Sequence, residues 1–165
     1  MSEPALVIIK PDGISKNLVG NILEKFAKTQ LDIVGLRVVQ ATHRQAQEHY
    51  KHLKEKLFFD EIVGYLSGAY HLNNKLIVIV YYGPEAIEKC RQVAGATNPE
   101  QASKETVRGA YGRITPEGLF ENVVHVSSDA FEAEREIKLW FRPGDIVINL
   151  YPAKVSGQQQ EKVWA

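Results

Sequence analysis

Five consecutive apolar residues, Ala5-Leu-Val-Ile-Ile9, run without alternation and are then cut by Lys10-Pro-Asp-Gly13. A continuous β-rich run suits a strand buried on both faces, and the Pro and Gly that follow punctuate its end. A second run, Leu76 to Tyr82, predicts another strong strand. At seven residues it falls far below the ~20 needed to span a bilayer. The first run is also too short for a signal peptide. The single Cys90 offers neither an intrachain disulfide nor a zinc-binding pair. The expectation is a cytoplasmic domain.

Between these strands the apolar spacing changes. Val19, Ile22, Leu23 and Phe26 recur at helical intervals, predicting a helix over 19–29, and 31–40 alternates as a second strand. Residues 43–55 and 58–68 read as two helices. Gly83-Pro84 places Pro at the first position of a helix that ends at Gly95, with Ile87, Cys90 and Ala94 facing inward. Residues 96–118 read as loop, 120–126 as a strand and 130–141 as a helix. That order of elements fits an α+β sandwich of the ferredoxin-like kind, a four-stranded antiparallel sheet with helices packed on it. With 165 residues in all, the reading is one domain over 1–152 and a polar C-terminal tail over 153–165, which includes a glutamine run at 158–160.

Twenty basic residues balance twenty acidic ones. That argues against general affinity for nucleic acid or membranes, which rests on an excess of Lys and Arg. A ferredoxin-like RNA-binding module would also carry aromatics on its sheet, whereas these strands are aliphatic. No P-loop or dinucleotide-binding glycine motif is present. Gly109-Ala-Tyr-Gly112 has the bare form of a nucleotide-clamping GXXG loop but reads better as a solvated turn.

The segment richest in chemistry is Asn122-Val-Val-His-Val-Ser-Ser-Asp129 and the helix after it. Asp129 followed by Glu132 resembles a capping box. Ala130, Ala133, Ile137, Trp140 and Phe141 form an inner stripe with Glu136 on its edge. An inward carboxylate needs a partner, and His125 is the nearest candidate because a strand–turn–helix unit folds the helix over the strand. Glu136 holding one imidazole N–H would leave the other nitrogen as a nucleophile. Read alone, the segment fits a structural histidine beside a surface carboxylate better. Lys10, Arg91, Arg108 and Phe58 are each ambiguous alone, as phosphate or base contacts or as ordinary surface and core groups.

Taken in order, however, the pieces resemble the nucleoside diphosphate kinase family over residues 4–142. They are Ile9-Lys-Pro-Asp-Gly13, Leu18-Val-Gly20, Glu48-His-Tyr50, Phe58-Phe59, Gly95-Ala-Thr-Asn-Pro99, Thr106-Val-Arg-Gly109, Asn122-Val-Val-His125, Glu134-Arg-Glu-Ile137 and Leu139-Trp-Phe141. The resemblance implies transfer of a γ-phosphoryl group from a nucleoside triphosphate to a nucleoside diphosphate, by a ping-pong route through phosphohistidine. His125 would be the nucleophile, Glu136 its orienting partner and Ser127 a support. Lys10, Tyr50, Arg91, Thr97, Arg108 and Asn122 would surround phosphates and ribose, and Phe58 would stack on the base. Mg²⁺ would arrive on the nucleotide phosphates without a protein cage, and the chain would assemble as a homo-oligomer built from dimers. The alternative is a non-catalytic nucleotide-binding regulatory homologue of the same fold.

Three departures from the family pattern stand out. His125-Val-Ser-Ser-Asp129 sets the Asp one place late, Ala110 follows Arg108-Gly109 where the family has Asp, and the stretch 109–121 is longer than usual, as is 69–75.

Overall fold

A computed structural model describes residues 1–71, 73–156 and 161–164. Its centre is a four-stranded sheet of β1 (Ser2–Ile9), β2 (Asp32–Gln40), β3 (Lys75–Pro84) and β6 (Val124–Val126), in the order β2-β3-β1-β6 with every neighbour antiparallel. Two short strands, β4 (Arg113–Ile114) and β5 (Phe120–Glu121), pair as a separate hairpin ahead of β6. The architecture is the expected α+β, ferredoxin-like one.

The unbroken apolar run of β1 has a simple cause. Side chains alternate across a strand, so both faces need apolar residues when both are covered. Ala5, Val7 and Ile9, with Ile79 and Tyr81 of β3, pack beneath α2 (Val19–Ala27), which follows the short α1 (Pro11–Ser15), and α5 (Ala86–Ala94). Leu6 and Ile8, with Leu76, Val78 and Val80, face the other layer. That layer comprises α3 (His43–His49), α4 (Phe59–Leu66) and α7 (Ala130–Trp140). Each fully buried Leu or Ile contributes about 1.5–3 kcal/mol. A shift of β1 by one residue would exchange its two faces, which the packing on both sides forbids.

Several sequence expectations need correction. Pro84 closes β3 opposite Ser2 rather than opening the next helix. Helix α5 begins at Ala86 after Glu85, whose φ is +55°. The Ile87 N–H donates to Glu3 Oε1 at 3.2 Å, so a side chain from another strand satisfies that helix start. Gly95 ends the helix as expected, at φ +85°, where a Cβ would lie 2.3 Å from Thr106 Oγ1. The helices expected over 43–55 and 58–68 are shorter, α3 and α4, joined through a 3₁₀ turn at Lys51–Leu53.

The loop expected over 96–118 holds α6 (Val107–Tyr111) and then β4. Gly109 belongs to that helix, and a Cβ there would sit 2.0 Å from the Ser103 carbonyl oxygen. The GXXG stretch is therefore helical packing, neither a clamp nor a turn. The strand expected over 120–126 is split at Val123, which sits at φ +58°. Such a conformation is unusual for a β-branched residue and costs roughly 1–3 kcal/mol. Asp12 Oδ2 accepts from the Val123 N–H at 3.1 Å, and the Lys10 N–H donates to its carbonyl at 2.9 Å, holding it there.

The C-terminal segment forms a hairpin of β7 (Ala153–Ser156) and β8 (Glu161–Trp164), with the Trp164 indole N–H donating to the Phe141 carbonyl at 2.7 Å. The glutamine run at 158–160 lies outside the described residues. No helix among the described residues is long and apolar enough to cross a membrane.

Candidate active site

Pairing register decides which way His125 points. It lies opposite Ile8, so its side chain enters the layer of α3, α4 and α7, while Val124 and Val126 face the other core. Lys10, two residues beyond Ile8, enters the same side. Helix α7 is started by Asp129, whose carboxylate accepts from the Glu132 N–H at 2.9 Å. The late Asp of His125-Val-Ser-Ser-Asp129 is thus a helix cap. From that start Ala133, Glu136, Ile137 and Trp140 turn inward, while Ala130, expected in the inner stripe, is exposed.

Glu136 is 1% exposed and its two oxygens are divided. Oε1 lies 2.9 Å from His125 Nε2, and Oε2 accepts from the Ser127 hydroxyl at 2.6 Å. Ser127 in turn accepts from the Leu6 N–H at 3.2 Å, which ties the pair to the central strand. Burial by itself disfavours the Glu136 carboxylate, but the charge and hydrogen bond of His125, with His49 and Ser127, outweigh it and hold its pKa at about 2. An ionised Glu136 can only accept, so His125 Nε2 carries a proton toward it, and in the neutral ring the lone pair is therefore on Nδ1.

A second histidine stands behind the first. His49 is fully buried, its ring edge-on to His125 with centroids 4.4 Å apart and planes at 77°. The Trp140 indole N–H donates to its Nδ1 at 3.2 Å. Burial, then the nearby His125, push its pKa well below that of a free imidazole, so it is neutral, with its proton on Nε2. It forms a rigid wall against the His125 ring.

His125 opens into a cleft of about 550 Å³. Lys10, Tyr50, Phe58, Arg91, Thr97, Arg108 and Asn122 all line it, while Glu136 and Ser127 stand behind His125. The structure therefore brings every sequence-predicted site residue to one place. Lys10 Nζ donates to Asn122 Oδ1 at 2.6 Å and lies 4.8 Å from the Tyr65 ring centroid. Asn122 Nδ2 donates to the Thr97 carbonyl at 2.8 Å. Burial lowers the Lys10 pKa to about 7, against the opposing charge of Asp12 and with help from Arg108. Arg108 is held by the Gly95 carbonyl at 2.8 Å and the Val124 carbonyl at 3.1 Å, and burial lowers its pKa to about 10. Burial, then the Glu136 charge, raise the Tyr50 hydroxyl, so it is neutral. Phe58, 47% exposed, stands at the mouth.

Sequence reasoning passed over His49, Asp12, Tyr65 and Glu121. His49 had a signal, since it follows Ala46 at helical spacing on the inner face of α3. Asp12 lay within the motif Lys10-Pro-Asp-Gly13, and Tyr65 and Glu121 had no signal, because their roles arise from contacts between distant segments. His49, His125 and Glu136 are the one cluster among the described residues whose ligand atoms could converge on a metal, lying within 4.8 Å of one another. Both Glu136 oxygens are already engaged, and an imidazole-rich set does not suit Mg²⁺.

The model of the family described as nucleoside diphosphate kinase matches residues 3–146. A nucleoside diphosphate kinase of Pyrococcus furiosus is 39% identical over 144 residues, covering 87% of this chain and 86% of that protein. Among solved structures, that of the Halobacterium salinarum nucleoside diphosphate kinase in complex with CDP matches with a TM-score of 0.80 at 31% identity, covering 90% of this chain and 93% of that one. A Borrelia burgdorferi nucleoside-diphosphate kinase with bound vanadate and ADP, described as a transition state mimic, has a TM-score of 0.80 at 26% identity, covering 89% and 91%. With a divided, buried carboxylate behind a cleft-facing histidine and the family model spanning nearly its whole length, the chain belongs to the nucleoside diphosphate kinase family of phosphotransferases.

Proposed function

We propose that the protein moves the γ-phosphoryl group of a nucleoside triphosphate to a nucleoside diphosphate by a ping-pong route through His125. The observation that carries the reading is the buried, ionised Glu136 fixing the His125 tautomer at the wall of a cationic cleft. A regulatory relic that only bound nucleotide would have no use for that pair. In the first half-reaction the Nδ1 lone pair attacks the γ-phosphorus. The bond to the β–γ bridging oxygen breaks, and that oxygen keeps the electron pair as the diphosphate leaves. In the second, a terminal oxygen of an incoming diphosphate attacks the phosphohistidine and the N–P bond pair returns to Nδ1. Neither half requires a net proton.

Phosphoryl transfer needs positioning and charge neutralisation more than covalent help from the protein. Lys10, Arg91 and Arg108 supply positive charge, and Asn122, Thr97 and Tyr50 supply polar contacts for phosphates and ribose. Phe58 stacks on the base, which favours broad base acceptance because every base has a π-face. The phosphate end is built of cations, amides and hydroxyls, so Mg²⁺ would come with the nucleotide phosphates and would supply further neutralising charge there. The edge strand β2 exposes Ile33, Leu36 and Val38, which supports a homo-oligomer built from dimers.

The test is intact-protein mass after brief exposure to Mg-ATP, on wild type and His125→Ala. The expected result is one phosphoryl adduct on wild type alone, lost to a GDP chase as GTP appears. An adduct on His125→Ala, or none on a wild type that still binds ADP, overturns the mechanism.

A further inference from the structure

Val123 is the residue whose conformation folding alone explains least. Four described non-glycine residues have positive φ, and Asn17, Gln30 and Glu85 among them are polar and exposed. Val123 is β-branched and fully buried, yet sits at φ +58° between Asn122 and Val124. Strain of that kind persists only where the surroundings over-determine it, and it gathers at functional sites.

The segment that holds it is Lys10-Pro-Asp-Gly13. Both backbone groups of Val123 go to that segment: its N–H donates to Asp12 Oδ2 at 3.1 Å, and its carbonyl accepts from the Lys10 N–H at 2.9 Å. Asp12 is fully buried, and its Oδ1 has no hydrogen-bond partner among the described residues. A buried carboxyl group so thinly satisfied is costly and calls for a reason. Gly13 lets the segment come this close, since a Cβ there would lie 3.0 Å from Ile9 Cγ2 and 3.3 Å from the Val123 carbonyl oxygen. The turn at Val123 aims the cationic end of the cleft. On one side of it Asn122 accepts from Lys10 Nζ at 2.6 Å and donates to the Thr97 carbonyl at 2.8 Å. On the other the Val124 carbonyl accepts from Arg108 Nη2 at 3.1 Å, and His125 follows. Side chains two apart share a face of a strand. In an unbroken strand Asn122 would therefore join Val124 and Val126 in the other core, away from His125.

We infer that Asp12 is a positioning residue for phosphoryl transfer. By holding Val123 in its left-handed conformation it turns Asn122 to the His125 side of the sheet, and so fixes the Lys10–Asn122–Thr97 arrangement that meets the phosphates. This rests on the kinase reading for the identity of the ligand. Asp12 touches neither nucleotide nor His125, and acts through the Val123 backbone alone.

The test is a double-mutant cycle, because glycine adopts the left-handed region without the cost that valine bears. Single-turnover phosphorylation by ATP and calorimetric ADP affinity are measured for wild type, Asp12→Ala, Asp12→Asn, Val123→Gly and the double variant Asp12→Ala/Val123→Gly. Rates are taken well below each melting temperature. Asp12→Ala lowers the phosphorylation rate roughly 10- to 100-fold, as small misplacements of reacting groups do. Asp12→Asn, which keeps an acceptor for the Val123 N–H, stays within about threefold of wild type. In the Val123→Gly background the Asp12→Ala change costs no more than about threefold, since the two positions are coupled through one conformation. A merely structural Asp12 lowers the melting temperature and gives equal rate losses in both backgrounds, and that equality overturns the inference. So does a loss in Asp12→Asn as large as in Asp12→Ala, which assigns the effect to charge. Should Asp12→Ala fail to fold, Asp12→Asn decides, and a loss of about tenfold or more there overturns the inference. If wild type takes no phosphoryl group, the kinase reading fails, while ADP affinity across the same cycle still tests Asp12.

Discussion

The two ends of the cleft are built differently. The cationic end is set by regular elements: His125 in β6, Lys10 at the exit of β1 and Glu136 on α7, with Glu136 bonded to His125 and Ser127 and Lys10 to Asn122. The aromatic end is Phe58, the residue preceding α4, and Phe120 on a two-strand hairpin, with both rings partly in water. Charge must be aimed to within fractions of an ångström at a reacting phosphorus, which rigid strands and buried pairs achieve. Stacking tolerates sideways displacement, so loops suffice and can vary in length.

Lys10→Ala should break the contrast most severely. Removing one cation from the transferring group costs roughly 10²–10³ in kcat, with little change in base preference. The wild-type pH profile bears on the same residue. With the Lys10 pKa lowered to about 7, the cation is lost as pH rises through that value, so kcat/KM, which reports the free enzyme, should fall on the alkaline side. Lys10→Arg keeps its charge and should lack that limb. A limb of the same midpoint in Lys10→Arg would assign it to another group.

Glu136→Gln is the next largest. The amide keeps the size but loses the charge, and it cannot accept from Ser127 with its nitrogen. Turnover should fall roughly 10- to 100-fold through a misoriented imidazole, with KM for nucleotide nearly unchanged. Stopped-flow phosphorylation by ATP measures this directly, and an undiminished rate would separate Glu136 from the chemistry.

The smallest effect sharpens the other end. The Glu121 carboxylate is disfavoured by burial, but hydrogen bonds from Arg113, Lys16 and His71 prevail and hold its pKa at about 2. A depressed carboxylate adds stability above its ordinary pKa and loses it as pH falls toward the folded value. Glu121→Gln should therefore lower stability near neutrality by about 1 kcal/mol, given how exposed Arg113 is. In urea titrations the gap from wild type should close as pH drops from about 5 toward 3. A gap constant with pH would mean that the hairpin is held by packing instead.

How far the residues spoke for themselves varies along the chain. The buried strand Ala5–Ile9 and, apart from Ala130, the inner stripe of α7 were legible from periodicity, and a local strand–turn–helix unit made His125 and Glu136 candidate partners without deciding their role. The order of motifs was enough to join Lys10, Arg108 and His125 in one reading. The hairpin at 113–121 was not legible, because Glu121 reads as one more charged residue until Lys16 and His71 come to it from far along the chain. The break at Val123 was hidden for the same reason, as an apolar β-branched run argues for a continuous strand. Asp129 looked displaced within its motif, and its capping bond explains the position.

Pattern within a window of about a dozen residues thus decided the elements and the two-faced sheet, because hydrophobic period and capping are properties of neighbours in sequence. The case for His125 with Glu136 rested instead on the order of motifs along most of the chain. The neutrality of His49, the depressed Lys10 pKa and the placing of Phe58 and Phe120 at one cleft came from burial and from contacts between distant segments. The tautomer of His125 came from the hydrogen bonds that keep a buried Glu136 ionised beside it. Desolvation and charge coupling act through space, and no local pattern along the chain encodes how far a group ends up from water.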